Sequence, residues 1–156
     1  MNAAPARALA AFEVAGLADV LLPWARLASI RAPLPSVRAR LAAWLPPRRA
    51  RARLAPSTIG RIVAGIGRRM PGIGTCLTQA LVTEALLRRE HHSARLVIGV
   101  ERPGGSAIRA HAWVESAGVV VAGAAADLNR YTPIAVGKGP FLERFRWDAL
   151  ERSRNV

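Results

Sequence analysis

Cys76 is the single cysteine of this sequence, and its position suits a nucleophile. It follows the glycine-rich segment Gly72–Thr75 and opens a run of helix-forming residues, Leu77–Arg89. A helix N-terminus lowers the pKa of a thiol, because unpaired backbone N–H groups and the macrodipole stabilise the thiolate. The same N–H groups can stabilise the oxyanion of a tetrahedral intermediate. The alternative, a cysteine that serves only as a small buried hydrophobe, stays open at this point.

A second candidate for this chemistry is His111, in the middle of the predicted strand Ala110–Glu115. Alternation along a strand places His111 and Trp113 on one face, where the imidazole can meet a helix N-terminus laid across the sheet. We therefore predict that His111 is the base for the thiol, with a core histidine bonded to backbone as the alternative. His91 and His92 follow a predicted helix end, where capping is the expected role.

A third group normally orients the imidazole of such a pair. If the turn pairs Glu115 with Val119, antiparallel register puts Gly123 directly across from His111, where a carboxylate is expected. Asp127 has the same strand parity as Gly123 and can reach back if the strand bends. Its alternative role is that of an ordinary loop aspartate. Glu115 lies on the correct face but about 13 Å along the strand from His111, which makes it the weaker candidate.

The elements that position these residues follow from periodicity and turn signals. Apolar spacing predicts a helix from Ala6 to Arg31 that Pro23 kinks or splits. Alternating runs joined by glycine-containing turns predict a three-strand antiparallel meander, and the fold class is therefore α+β. The remaining predicted elements are a helix capped by Ser36 with Val37, Leu41, Trp44 and Leu45 inward, a helix from Ser57 to Gly67, strands at 94–101, 108–115 and 119–121, and a last helix, Phe141–Arg152.

Length and composition limit the kind of protein this is. The 156 residues fit one compact domain with at most a helical appendage, and we divide them into an N-terminal helical region with an Arg-rich linker, 1–56, and a core, 57–156. One cysteine excludes an internal disulfide framework and a Cys-rich zinc site, and it suits a reducing cytoplasm. No export signal is recognisable, and the apolar stretch 17–27 is too interrupted by charge and proline to predict a membrane span.

The net charge of +13 favours an acidic partner. Six arginines lie between Arg38 and Arg53, where they form either a solvated face or a docking surface for an acidic protein or peptide. Nucleic acid is disfavoured because no stacking motif or helix-turn-helix signal accompanies the charge. Trp24 and Trp44 lie on apolar helix faces, which favours core or interface positions.

An ordered series of motifs resembles the transglutaminase-like cysteine peptidases of lasso-peptide biosynthesis, in their stand-alone peptidase form. The resemblance covers roughly Ser57 to Ile134. The motifs are Thr75-Cys76-Leu77, Ala80-Leu81, Leu86–Arg89, Arg95–Val100, Ala110–Glu115 and Arg130–Ile134.

That resemblance implies a transglutaminase-like, papain-like fold with a Cys at a helix start and a His and an Asp on adjacent strands. It implies Cys76 as nucleophile, His111 as general base and acid, and Asp127 as the third catalytic residue, with Gly123 as the departure from the family pattern. Trp113 is the expected substrate-binding residue. No metal or cofactor is needed. The implied activity is removal of the leader from a lasso-peptide precursor, with a separate leader-recognition protein and the cyclase as partners.

Other functions are compatible with the same residues. A transglutaminase-like amidohydrolase or acyltransferase would use the same thiol on a different amide. A catalytically silent basic adaptor would bind an acidic partner through the Arg38–Arg53 segment and would leave Cys76 no more reactive than an ordinary thiol.

Overall fold

The computed structural model describes residues 3–48, 54–101 and 108–134, which form four α-helices and a four-stranded sheet. The predicted helix Phe141–Arg152 lies outside these residues. A short 3-10 turn, Leu128–Arg130, precedes the last strand. The helices are α1 (Ala3–Arg31), α2 (Leu34–Trp44), α3 (Pro56–Gly67) and α4 (Cys76–Arg89), and the strands are β1 (Arg95–Glu101), β2 (Arg109–Ser116), β3 (Val119–Ala122) and β4 (Thr132–Ile134).

The helix starts differ from those expected. α2 begins after Pro33 and α3 after Ala55, and neither has a side-chain cap, so the predicted caps Ser36 and Ser57 are wrong. Each helix has a proline in its first turn instead. The fixed φ of proline suits a helix start, and a backbone N–H at that position would have no partner within the helix. α1 runs through Pro23 as one helix, so the predicted split is not observed. α1 has buried residues both before and after that proline, and the helix packs against α3 and α4.

All neighbours in the sheet are antiparallel, in the order β3-β2-β1-β4. The predicted meander is confirmed, and β4 is an addition that pairs Pro133 with Gly99 of β1. Gly99 in turn pairs with His111 of β2. Ala112 and Val114 belong to the hydrophobic core, which confirms that His111 and Trp113 lie on the opposite face of β2.

The register between β2 and β3 corrects the expected pairing. Ser116 pairs with Val119, because the connection is a two-residue turn in which Ala117 and Gly118 both have positive φ, 49° and 79°. A β-bulge then shifts the register before Ala122. The prediction that Glu115 pairs with Val119 is therefore wrong by one residue at the turn.

The core lies between the helices and one face of the sheet. α4 is buried along most of its length, with α1 and α3 on one side and β2 and β1 on the other. α3 approaches the sheet closely at Gly60, where a Cβ would lie 1.8 Å from the Val121 carbonyl oxygen. Residues of α1 and α2 share this core with those that follow 57, and the division at 56 stays a prediction.

Two arginines of the Arg38–Arg53 segment form ion pairs within the protein. This corrects the expectation that the whole segment is either a solvated face or a docking surface. Arg38 donates two hydrogen bonds to the buried carboxylate of Glu84, at 2.9 and 2.6 Å. Arg48 contacts Glu90, which is 1% exposed, at 3.0 Å, and also contacts Glu13. These ion pairs join the N-terminal helices to α4.

Trp44 differs from its predicted inward position. Its side chain is 54% exposed and its ring lies 4.4 Å from that of Trp24, between centroids. The neighbouring Val37, Leu41 and Leu45 are buried as predicted. The two tryptophans therefore form an aromatic pair at the outer junction of α1 and α2.

Candidate active site

The N-terminus of α4 is fixed by its own capping residues. Cys76 is the first residue of the helix, which confirms the predicted start, and its side chain is half-buried. The Thr75 hydroxyl caps the helix by accepting a hydrogen bond from the Thr78 backbone N–H at 3.4 Å. The Thr78 hydroxyl donates to the Ile73 carbonyl at 2.6 Å. The thiol therefore sits on a braced helix start, where backbone N–H groups favour negative charge.

The glycine-rich turn before Cys76 is held against the end of α3. A Cβ on Gly74 would lie 2.1 Å from the Gly67 carbonyl oxygen, so the close approach requires glycine. The Gln79 side-chain amide donates to the Gly74 carbonyl at 2.6 Å. The N–H groups of Gly74 and Thr75 donate to the carbonyls of Met70 and Ile73, at 2.8 and 2.9 Å, and these bonds fix the turn that leads into α4.

His111 is half-buried on β2, and the Gly123 backbone carbonyl lies 2.7 Å from its Nε2. A carbonyl oxygen can only accept a hydrogen bond, so Nε2 carries the proton in this contact. In the neutral imidazole, Nδ1 is then the basic nitrogen. This is the tautomer that can take a proton from a thiol at Nδ1 while Nε2 stays anchored.

Glycine is required at position 123 for this contact. Its φ is +73°, and a Cβ there would lie 2.5 Å from the Ala112 carbonyl oxygen and 2.9 Å from the Trp113 Cα. The bulge in β3 and this turn of the chain together direct the Gly123 carbonyl to the imidazole. The register expected from the sequence places Gly123 near His111 but predicts no hydrogen bond from its backbone carbonyl. The glycine directly after the short strand is the feature of the sequence that could have indicated this turn.

Two aromatic rings enclose the imidazole. The Trp113 ring is nearly parallel to it, with centroids 6.3 Å apart, and the Tyr131 ring lies 5.5 Å from it. Gly99 of β1 makes room for both rings, because a Cβ there would lie 2.7 Å from Tyr131 Cβ and 2.9 Å from the Trp113 indole. The sequence shows Tyr131 only as part of the motif Arg130–Ile134 and does not predict its position next to His111.

Trp113 is 5% exposed, so little of its surface can meet a substrate. Its indole N–H donates to the Glu115 carboxylate at 3.0 Å, which fixes the ring beside His111. Glu115 also lies 3.5 Å from the Arg95 guanidinium. The geometry therefore favours a positioning role for Trp113, with Glu115 as its anchor.

Asp127 occupies the N-cap position of the 3-10 turn. Its carboxylate is 59% exposed and lies 3.6 Å from the Arg130 guanidinium. The structure thus gathers His111, the Gly123 carbonyl, Trp113 and Tyr131 into one group, and it places α4, which begins at Cys76, against β2. Within residues 3–48, 54–101 and 108–134, no group of three or more His, Cys, Asp and Glu side chains could hold a metal ion.

Comparison with known proteins identifies the family. Comparisons with curated proteins and with solved structures give no significant match. The model of the Transglutaminase-like superfamily matches residues 18–136, which is more than half of the chain. The helices packed on a small antiparallel sheet agree with the α+β architecture of that domain. The chain therefore belongs to the transglutaminase-like superfamily.

Proposed function

We propose that this protein is a cysteine peptidase that removes the leader from a ribosomally synthesised lasso-peptide precursor, before the macrolactam is closed. Its superfamily is typically a Cys-His-Asp peptidase or acyltransferase fold. The hydrogen bond between His111 and the Gly123 carbonyl carries the catalytic part of the proposal, because it sets the tautomer that a thiol-activating base needs. The resemblance of the ordered motifs between Ser57 and Ile134 supports the leader-peptidase part.

The proposed reaction is acyl transfer to water. His111 Nδ1 takes the proton of the Cys76 thiol, and the thiolate attacks the scissile carbonyl carbon to form a C–S bond. Backbone N–H groups at the start of α4 stabilise the oxyanion. The intermediate collapses when the C–N bond breaks and His111 gives its proton to the leaving amine. Water, deprotonated by His111, then hydrolyses the thioester, releases the acid and restores the thiol.

In this proposal the Gly123 carbonyl replaces the carboxylate as the group that orients His111. A carbonyl is a neutral acceptor, so it fixes the ring but stabilises the imidazolium less than an aspartate would. The Trp113 and Tyr131 rings lie next to the imidazole, with centroids 6.3 and 5.5 Å from it. The catalytic role of Asp127 stays a prediction, and the variant Asp127→Ala tests it.

The partners we propose are the leader of the precursor, a separate leader-recognition protein and the lasso cyclase, all in the cytoplasm, without nucleic acid or a metal. The net charge of +13 supports an acidic protein or peptide partner. Because Arg38 and Arg48 are used internally, docking through the arginine-rich segment would depend on other arginines such as Arg40, which is exposed.

The test combines the protein, its precursor and the leader-recognition protein and follows cleavage by mass spectrometry. We expect one cut at the leader–core junction, and loss of cleavage in Cys76→Ala. Cys76→Ser is the matched control, because it keeps the shape of the side chain and lacks the thiolate. Undiminished cleavage by Cys76→Ala contradicts the proposal. A product joined to an added small amine indicates an acyltransferase, and no product of either kind indicates the basic adaptor.

A further inference from the structure

The outer face of α1 carries a stripe of exposed apolar side chains. Phe12 is 79% exposed and Val20 is 69% exposed, with Leu9, Leu27 and Ile30 each at least half exposed. At 100° per residue these five side chains fall within about 80° of one another on the helix surface. From Leu9 to Ile30 the stripe is about 30 Å long. Scattered apolar residues on a surface are ordinary, but a continuous stripe of this length indicates an interaction face.

The stripe is poor in polar groups. Gly16 and Pro23 fall within it, and Asp19 at its margin is the exposed acidic residue of α1. Protein interfaces usually make about one hydrogen bond per 100–200 Å². A face with so few donors and acceptors fits a fluid apolar phase better than a protein surface.

The opposite face of α1 is committed to the core. Ala10, Val14 and Leu22 are at most 2% exposed there. Glu13, at the edge between this face and the stripe, holds ion pairs with Arg48 and with Arg89. By length and composition α1 could cross a membrane, but a third of its most apolar window is buried inside the protein. Removing α1 to span a bilayer would dismantle this core, so any contact with lipid must leave the helix lying flat.

We propose that the α1 stripe docks in the plane of an anionic lipid surface. The net charge of +13 attracts such a surface and opposes contact with a second copy of the same chain. Arg31 at the C-terminal end of the stripe is exposed, and so is Arg40 on α2. The pair of Trp24 and Trp44 borders the stripe, and tryptophan favours the boundary between headgroups and acyl chains. This inference is independent of the proposed peptidase activity.

The experiment is co-sedimentation of the full-length protein with two kinds of vesicle, pure phosphatidylcholine and an equimolar mixture of phosphatidylcholine and phosphatidylglycerol. We expect binding to the anionic vesicles that weakens as salt is added, and weaker binding to the neutral ones. The double substitution Val20→Asp and Leu27→Asp should reduce the partition coefficient by about tenfold or more. Both side chains are exposed, so circular dichroism should show an unchanged fold.

The matched control is the double substitution Ile108→Asp and Val119→Asp, which adds the same two charges at apolar residues outside α1 that are 40% and 63% exposed. This variant should bind vesicles nearly as the unchanged protein does. The proposal is overturned if the unchanged protein stays in the supernatant with both vesicle types, or if the α1 double variant binds as well as it does. A lipid-free dimer that the α1 substitutions dissociate would also overturn it, because a second copy would then cover the stripe.

Discussion

His111 is oriented by a neutral backbone carbonyl, and this determines how the site should respond to substitution. Where a carboxylate orients a catalytic histidine, removal of that carboxylate permits the wrong tautomer and costs several powers of ten in rate. Here the Nε2 proton is bonded to the backbone carbonyl of Gly123. Substitution of an acidic side chain therefore leaves this hydrogen bond in place. The importance of Asp127 and of Gly123 can therefore be separated by experiment.

His111→Ala should lower kcat/KM for precursor cleavage by about a thousandfold, because it removes the base and acid of both steps. Asp127→Ala should change kcat/KM less than about threefold, because the carboxylate is mostly exposed and faces Arg130. Steady-state kinetics on purified variants measures both. A loss of tenfold or more in Asp127→Ala would restore the aspartate as the group that orients His111.

Gly123→Ala should impair catalysis beyond its effect on stability. The added Cβ would meet the Ala112 carbonyl at 2.5 Å and move the carbonyl that anchors His111, so we expect about a tenfold or greater loss of kcat. Gly118→Ala is the control, because Gly118 also has a positive φ, +79°, but a Cβ there meets nothing within 4 Å. Gly118→Ala should lose about 1 kcal/mol of unfolding free energy because of its positive φ, and Gly123→Ala should lose more because its Cβ also meets the backbone, so kcat is compared where both variants are folded. Equal kcat in the two variants would contradict the role of the Gly123 carbonyl.

At the scale of elements, α3 and β3 meet at Gly60 with no room for a larger residue. Gly60→Ala should lower the free energy of unfolding by about 3 kcal/mol or more, because its Cβ would lie 1.8 Å from the Val121 carbonyl oxygen. Gly16→Ala on the open face of α1 should instead raise it by about 0.5–1 kcal/mol. Urea unfolding measures both changes. A stable Gly60→Ala protein would mean that α3 does not contact β3 this closely.

The start of α4 and the three strands of the meander could be predicted from the sequence, because strong helix formers follow a glycine-rich turn and alternation marks the strands. The register of β3 could not, because Ala117 takes a left-handed conformation that alanine seldom adopts. The Gly123–His111 contact depends on that register and on the bulge after it. Every residue has a backbone carbonyl, so residue types do not show which carbonyl meets His111. This part of the site could be recognised only from the structure.

At the scale of the whole molecule, acidic side chains link the N-terminal helices to α4. Glu13 on α1 contacts Arg48 and Arg89. Glu84, in the second half of α4, contacts Arg38, and Glu90, just after α4, contacts Arg48. Arg38 and Arg48 thus neutralise buried carboxylates, which would be costly without such partners. Part of the strongly basic composition therefore stabilises the fold, whatever part of it serves to bind a partner.

These ion pairs should make stability depend on pH. The hydrogen bond from Arg89 holds the pKa of Glu13 below its ordinary value of 4.5; burial opposes this shift, and Arg48 adds to it. Because the folded-state pKa is lowered, the stabilisation is present above the unfolded-state pKa and is lost as pH falls through the folded-state pKa. Glu13→Gln should thus lower the free energy of unfolding by about 0.5–1 kcal/mol at neutral pH. That difference should disappear in strong acid, and a difference independent of pH would contradict this origin.

The reactivity of Cys76 toward iodoacetamide at neutral pH, compared with its reactivity in His111→Ala, measures whether His111 activates the thiol. No precursor or partner is needed, and a single cysteine makes the labelled site unambiguous. If His111 activates the thiol at the start of α4, iodoacetamide should alkylate the unchanged protein much faster than the denatured chain. His111→Ala should lose most of this difference in rate. Equal rates in the folded protein, the denatured chain and His111→Ala would contradict the account.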